Sequence, residues 1–230
     1  MILGIETATS ICSVGIADNE KVIAEIRFDI KNIHAEVLSE SIEQLLRLSG
    51  IALKNIEAFA VSIGPGSFTG LRIGLATAKG LAFAGGKPLV AVGTLLAQAG
   101  ASNQWSVNSN QSSIVPVMKA RAGEVYAARF QSSWPMPIPT SDEVLLAVAG
   151  FSSWLQKPAV LCGNGVAMLQ ARGVLENLSD VIIMPEAAAM LGGGLIARLG
   201  AIKFAAGDVA DLATLEPRYL QEFAIGPRKA

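Results

Sequence analysis

The stretch Ser62-Ile-Gly-Pro-Gly-Ser-Phe-Thr-Gly-Leu-Arg-Ile-Gly74 constrains this chain more than any other. It separates an apolar, strand-like run at 58–63 from a helix-like run at 71–84. A strand therefore has to end, turn and launch a helix within a few residues. Glycine tolerates positive φ and proline fixes its own φ near a turn value, so Gly64, Pro65 and Gly66 read as the turn itself. Such a turn also sets free backbone N–H groups at the positive end of a helix dipole, where an anion can sit. The pattern alone leaves both readings open, a phosphate loop or a plain turn.

The flanks supply the rest of a unit. Residues 2–6, 12–17 and 22–28 read as three strands joined by short turns, the second of them Asp18-Asn19-Glu20. An amphipathic helix at 35–48 carries Val37, Leu38, Ile42, Leu45 and Leu46 on one stripe and stops at Gly50. The loop, its helix, a short strand at 89–91 and a helix at 93–101 complete the order β-β-β-α-β-α-β-α. The second half repeats it. Strands are expected at 114–119 and 125–130, a helix at 141–155, strands at 159–162 and 181–184, and a last helix at 187–206. Trp134-Pro-Met-Pro-Ile-Pro139 has room only for a poor edge strand. The fold class is α/β, two tandem units, each a mixed sheet flanked by helices. A duplicated unit of this order resembles the actin-like ATPase (ribonuclease H-like) architecture. The first subdomain is expected over 1–101 plus about 208–230, the second over 102–207. The polar segment 102–113 marks the boundary, and the tail is expected to return over the first subdomain.

Composition bounds the function. Half the residues are apolar (51%) and 16% are charged, enough for a sizeable core. A net charge of −1 gives no field for binding nucleic acid alone. Cys12 and Cys162 lie in apolar contexts and read as buried free thiols. Met1 leads straight into an apolar strand with no basic leader, and the charge-free run 88–118 is filled with Asn, Gln and Ser in its middle. A soluble, cytoplasmic protein is expected, with no membrane partner.

Chemistry-bearing groups are sparse. His34 is the sole histidine and reads as a helix-start or surface residue. A zinc site needs three or four placed ligands and a serine triad needs a base, so neither a metal nor a catalytic residue is expected. The resemblance to the actin-like architecture implies that Glu6, Thr7 and Thr9, in the first hairpin turn, could face a nucleotide's phosphates. Their alternative role is to satisfy the backbone of a strand-to-strand turn. Gly192-Gly193-Gly194 has the look of an adenosine-binding run but falls inside an apolar helical pattern, where close helix packing explains it. Gly70, Gly74, Ala78 and Ala82 recur every four residues, with Ile73, Thr77 and Leu81 beside them. This smooth face lets another element approach, either the protein's own sheet or a partner's helix. Arg121, Glu124 and Tyr126 are read as ion pairing across the cleft between subdomains, and Tyr219 as an anchor for the returning tail.

Four pieces together, Ile5-Glu-Thr-Ala-Thr9, Gly64 to Gly74, Ala120-Arg-Ala-Gly-Glu-Val-Tyr126 and Glu216-Pro-Arg-Tyr-Leu220, resemble the bacterial TsaB (YeaZ) family along essentially the whole chain. That resemblance implies a non-catalytic scaffold in threonylcarbamoyladenosine (t6A) modification of tRNA. The implied partners are a catalytic TsaD-like paralogue, forming a heterodimer, and a TsaE-like ATPase. A homodimer is possible when the chain is alone, and tRNA is touched only indirectly. No cofactor is implied in the isolated chain; ATP is used by the assembled complex. The implied partner interface is Gly70, Ile73, Gly74, Thr77, Ala78 and Leu81, so Gly74→Leu is expected to abolish docking in a folded chain. The chain departs from the family at Glu6 and Lys119, both usually Asp. The alternatives are an ATP-dependent small-molecule kinase of the same fold and a metallopeptidase.

Overall fold

The computed structural model describes residues 1–19, 21–106 and 113–220; of residues 103–106 only the backbone is described. The first half forms β1 (Ile2–Glu6), β2 (Ile11–Asp18), β3 (Lys21–Asp29), α1 (His34–Ser49), β4 (Ala58–Ser62), α2 (Phe68–Gly85), β5 (Leu89–Val92) and α3 (Thr94–Ser106). The second half forms β6 (Ser113–Lys119), β7 (Glu124–Ala127), β8 (Phe130–Gln131), β9 (Ile138–Pro139), β10 (Val144–Ala147), α4 (Phe151–Trp154), β11 (Ala159–Cys162), α5 (Val166–Ala171), β12 (Val181–Ile183) and α6 (Gly193–Ala205).

The two sheets share one plan. The first runs β3-β2-β1-β4-β5 and the second β10-β7-β6-β11-β12, with β8 and β9 as a side branch. In each, the first three strands are antiparallel neighbours and the last two join in parallel. The expected α/β duplication is present.

Two local expectations differ. Residues 141–155 do not form a helix; Val144–Ala147 pairs with β7 as a strand, and only a 3-10 turn and the short α4 follow. A short apolar run such as Val-Leu-Leu-Ala fits a buried helix or a strand equally, and the third-strand vacancy beside β7 decides it. The last helix starts at Gly193, not 187, because Glu186–Ala189 is a separate 3-10 turn.

The helices also exchange sides. The helix α3 packs Leu95 and Ala99 against Ile114 and Cys162 of the second sheet. In return, α6 packs Ile196, Ala197 and Leu199 on Ile2, Ala17, Ala58 and Ala60 of the first. The last helix, expected with the second subdomain, thus completes the first one's core. Gly4 and Gly15 are paired across β1 and β2 and make this possible. A Cβ on Gly4 would lie 2.3 Å from the Ala197 nitrogen, and one on Gly15 would lie 2.2 Å from that of Gly194. The run Glu186–Ala205 is apolar enough by composition to cross a membrane. Here it is split between two elements, and 56% of its apolar window is buried inside the protein, as a core helix requires.

The opposite face of the first sheet carries α1 and α2. Leu38, Ile42 and Leu45 from α1 and Leu75, Ala78 and Ala82 from α2 close over Leu3, Ile5, Phe59 and Val61.

Candidate functional site

The cleft between the halves is lined by the β1–β2 turn, the glycine loop, the β6–β7 turn and the tail. Its volume is about 460 Å³, and it holds Thr9, Ser10, Ser67, Lys119, Arg121 and Tyr126 among its walls.

The glycine loop is built inward. Gly64 has φ +116°, a conformation that a side chain would strain, and its N–H donates to Thr94 Oγ1 at 3.1 Å. The Thr94 N–H returns a bond to the Gly64 carbonyl at 2.8 Å. Pro65, the next residue, follows a cis bond and is buried. Gly66 presses on the first turn, where an added Cβ would come 2.3 Å from the Ala8 carbonyl. The Ser67 N–H donates to that carbonyl at 2.7 Å, while Ser67 Oγ caps α2 by accepting from the Gly70 N–H at 3.2 Å. Three of the loop's donors, the N–H groups of Gly64, Ser67 and Gly70, are thus taken by the protein itself.

Glu6, Thr7 and Thr9 do not act together on the cleft. Glu6 is fully buried, its Oε1 accepts from the Ala8 N–H at 2.7 Å, and burial pushes its pKa up to about 7. Its Oε2 and Thr7 Oγ1 are buried without a hydrogen-bond partner among the described residues. Thr9 Oγ1 accepts from the Ile11 N–H at 3.1 Å, inside the turn. Of the three, Thr9 lines the cleft.

His34 is not a surface residue. It is 7% exposed at the start of α1, and its Nε2 lies 3.1 Å from the Thr9 carbonyl and 3.2 Å from that of Ile11. Two acceptors on one nitrogen require that nitrogen to carry the proton, so the ring staples α1 to the first turn. Cys12 and Cys162 are free and buried, and burial pushes their thiols up to about 11 and about 12. Among the described residues no three His, Cys, Asp or Glu side chains come together as a metal site would need.

The small-residue face of α2 is spent inside the molecule. Gly70, Gly74, Ala78 and Ala82 are all buried. A Cβ on Gly74 would meet Thr7 Oγ1 at 2.2 Å, and one on Gly70 would meet the Thr7 carbonyl at 2.1 Å. Gly70, Gly74 and Ala78 therefore serve the protein's own sheet, not a partner, and Gly74→Leu would disrupt the fold before it reported on docking. Ile73, Thr77 and Leu81 stay partly exposed. The uncovered side lies opposite, where Ala76 and Gly80 are exposed and Phe83 is 83% exposed. A Cβ on Gly80 would meet nothing within 4 Å.

The ion pair expected across the cleft is local instead. Arg121 and Glu124 bond each other within the β6–β7 turn, Arg121 Nη2 to Glu124 Oε1 at 3.0 Å. Tyr126 on β7 is 7% exposed, and burial followed by the Glu124 charge raises its hydroxyl's pKa. The pair that joins distant segments is Arg218 with Glu143, 3.3 Å apart. Burial raises the Glu143 carboxyl while Arg218 opposes it. Glu143 was invisible in the sequence because its register depends on the unexpected strand β10. Tyr219 stacks 5.0 Å from the Phe68 ring, and Arg72 Nε donates to its hydroxyl at 3.0 Å. The Arg72 guanidinium also covers Phe68 at 3.7 Å from the centroid. The Arg218 N–H donates to the Ile63 carbonyl at 2.7 Å, which fixes the tail beside the glycine loop.

The glycine run at α6 is occupied from within. Ser13 Oγ accepts from the Gly193 N–H at 2.9 Å, and Glu25 Oε2 accepts from the Gly194 N–H at 3.0 Å. A carboxylate of the protein's own thus sits at that helix N-terminus.

Residues 22–134 match the family described as TsaD, tRNA N6-adenosine threonylcarbamoyltransferase. The chain is 37% identical over 130 residues to tRNA threonylcarbamoyladenosine biosynthesis protein TsaB of Escherichia coli, covering 56% of this chain and 54% of that one. It is 28% identical to TsaB of Buchnera aphidicola subsp. Schizaphis graminum, over 81% of this chain and 89% of that one. The matched stretch thus spans about half the length of the Escherichia coli and Haemophilus influenzae relatives, 54% and 51%. Among solved structures, a Pseudomonas aeruginosa protein with similarity to peptidase YEAZ superposes with TM-score 0.79 at 24% identity, over 96% of this chain and 99% of that one. That likeness shows the shared fold. The chain is thus similar in sequence to TsaB proteins and in fold to a YeaZ-like protein.

Proposed function

We propose that this protein is a non-catalytic partner subunit in the threonylcarbamoyladenosine modification of tRNA, docking on a TsaD-like transferase that performs the chemistry. The observation that carries this reading is the bare outer face of α2. An exposed glycine in a helix interior costs about 1 kcal/mol relative to alanine, and Gly80 has no packing neighbour among the described residues to explain it. Beside it stands Phe83, 83% exposed. An exposed aromatic next to a bare backbone is the composition of a helix-docking surface. The proposed interface is Ile73, Ala76, Thr77, Gly80, Leu81 and Phe83.

Support also comes from relatives named for threonylcarbamoyladenosine biosynthesis and from the cleft, whose walls among the described residues include no carboxylate to hold a catalytic metal. A TsaE-like ATPase would join the assembled complex and use the ATP, in the cytoplasm, with tRNA reached through the partner. The test is co-purification with a TsaD-like protein. Gly80→Arg and Phe83→Glu should each abolish the complex while the circular dichroism and melting temperature stay near wild type. Undiminished binding by both variants would remove the interface. Turnover of ATP with a small-molecule acceptor by the isolated chain would favour a kinase instead.

A further inference from the structure

The bare stripe on the outer face of α2 ends in a fixed cation. Counting back from Gly80 by single turns gives Ala76 and then Arg72, all three exposed on one side of the helix. Arg72 is not left to solvent as most surface arginines are. Its guanidinium lies 3.7 Å from the centroid of the Phe68 ring, one turn earlier in α2, and 5.9 Å from that of Tyr219 in the tail. Its Nε donates to the Tyr219 hydroxyl at 3.0 Å. Two aromatic rings and one hydrogen bond thus hold the group. Among the described residues Nη1 and Nη2 donate to nothing, and Arg72 makes no ion pair.

We infer that Arg72 is the receptor for a carboxylate of the partner transferase, an aspartate or glutamate side chain that seats at the end of the docking stripe. A planar guanidinium presents parallel N–H groups that match the two oxygens of a carboxylate. Held in place beforehand, it gives up less freedom on binding than a loose side chain does. Its surroundings favour a protein carboxylate over an RNA phosphate. Arg72 and Lys79 are the only charged residues of α2, and Ile73, Ala76, Gly80, Leu81 and Phe83 continue the face as apolar or bare surface. Nucleic acid is held by many cations together. A single arginine packed on aromatic rings, at the border of an apolar face, is the composition of a protein–protein hot spot. Tyr219 is then a positioning residue, since its hydroxyl sets the direction of the fork.

This inference rests on the docking role proposed above, and its test separates the two. The full chain is titrated with a TsaD-like transferase. Arg72→Met, matched to wild type in melting temperature, should bind about tenfold more weakly or worse. Arg72→Lys, which keeps the charge and loses the fork, should recover only part of that loss. Tyr219→Phe should weaken binding by the wild-type chain and add nothing to Arg72→Met. On the transferase, each exposed Asp or Glu of the docking surface is changed in turn to Asn or Gln. One of these changes should weaken the wild-type chain as much as Arg72→Met does and leave Arg72→Met unaffected, the coupling of a direct pair. Wild-type affinity for Arg72→Met, or no acidic residue coupled to it, overturns the inference, and the docking role survives if Gly80→Arg still abolishes the complex. Binding of tRNA by the chain alone that Arg72→Met removes would overturn it as well.

Discussion

Glu6 is the residue whose surroundings contradict its chemistry most. A carboxyl on the last position of a central strand has one backbone donor, no exposure, and a pKa raised from 4.5 to about 7. The folded state therefore keeps its proton to higher pH than the unfolded chain does. The linked stability is fully present below about pH 4.5 and is lost as pH rises through 7, by up to about 3 kcal/mol. Glu6→Gln keeps an acceptor for the Ala8 N–H and cannot ionise. Its melting temperature should exceed that of wild type at pH 8 and vary less between pH 5 and pH 8; equal slopes for the two proteins would refute the account. Gly74 makes the complementary case. With Thr7 Oγ1 only 2.2 Å from where its Cβ would stand, Gly74→Leu should cost about 3 kcal/mol or more, read by chemical denaturation. The four-residue spacing of Gly70, Gly74 and Ala78 was plain in the sequence. Its direction was not, because spacing places residues on one helix face without saying which neighbour that face meets.

At the scale of elements, α2 separates two duties by face. The buried face is set by small residues, and the exposed one by Ala76, Gly80 and Phe83. Gly80→Ala should therefore stabilise the isolated chain by about 0.5–1 kcal/mol, seen as a raised denaturation midpoint. An unchanged or lowered midpoint would mean that Gly80 has a packing role within the chain. The tail is the second element with a distinct duty. It bonds Ala210 to Leu89, Arg218 to Ile63 and Glu143, and Tyr219 to Arg72. Tyr219→Ala should loosen it, giving faster limited proteolysis within 207–220 with little change to the rest of the fold. The glycine loop, α1, α2 and the first sheet were legible in the sequence, since turn residues and hydrophobic period agree there. The strand β10 was not. Its four apolar residues carry no period of their own, and their state is decided by pairing with β7, far from any local signal.

The whole molecule is two copies of one sheet plan bound by exchanged helices. Because α6 completes the first core and α3 the second, neither half can open without exposing the other's apolar face. Thermal unfolding should be one cooperative transition, with near-ultraviolet and far-ultraviolet signals coincident. Sequence reasoning saw the duplication but drew its boundary along the chain, whereas packing exchanges helices across it. The paired Gly4 and Gly15 were the available signal, since glycine inside a strand marks close approach of another backbone. This architecture seats α2's inner face on the first sheet and leaves its outer face uncovered among the described residues, as the proposed docking role requires. The most direct test is reconstitution of tRNA threonylcarbamoylation with a TsaD-like transferase, a TsaE-like ATPase and ATP. Activity should require this chain, and Gly80→Arg should remove it while leaving the chain folded. Full activity from the transferase and ATPase without this chain, or with Gly80→Arg in its place, would contradict the account.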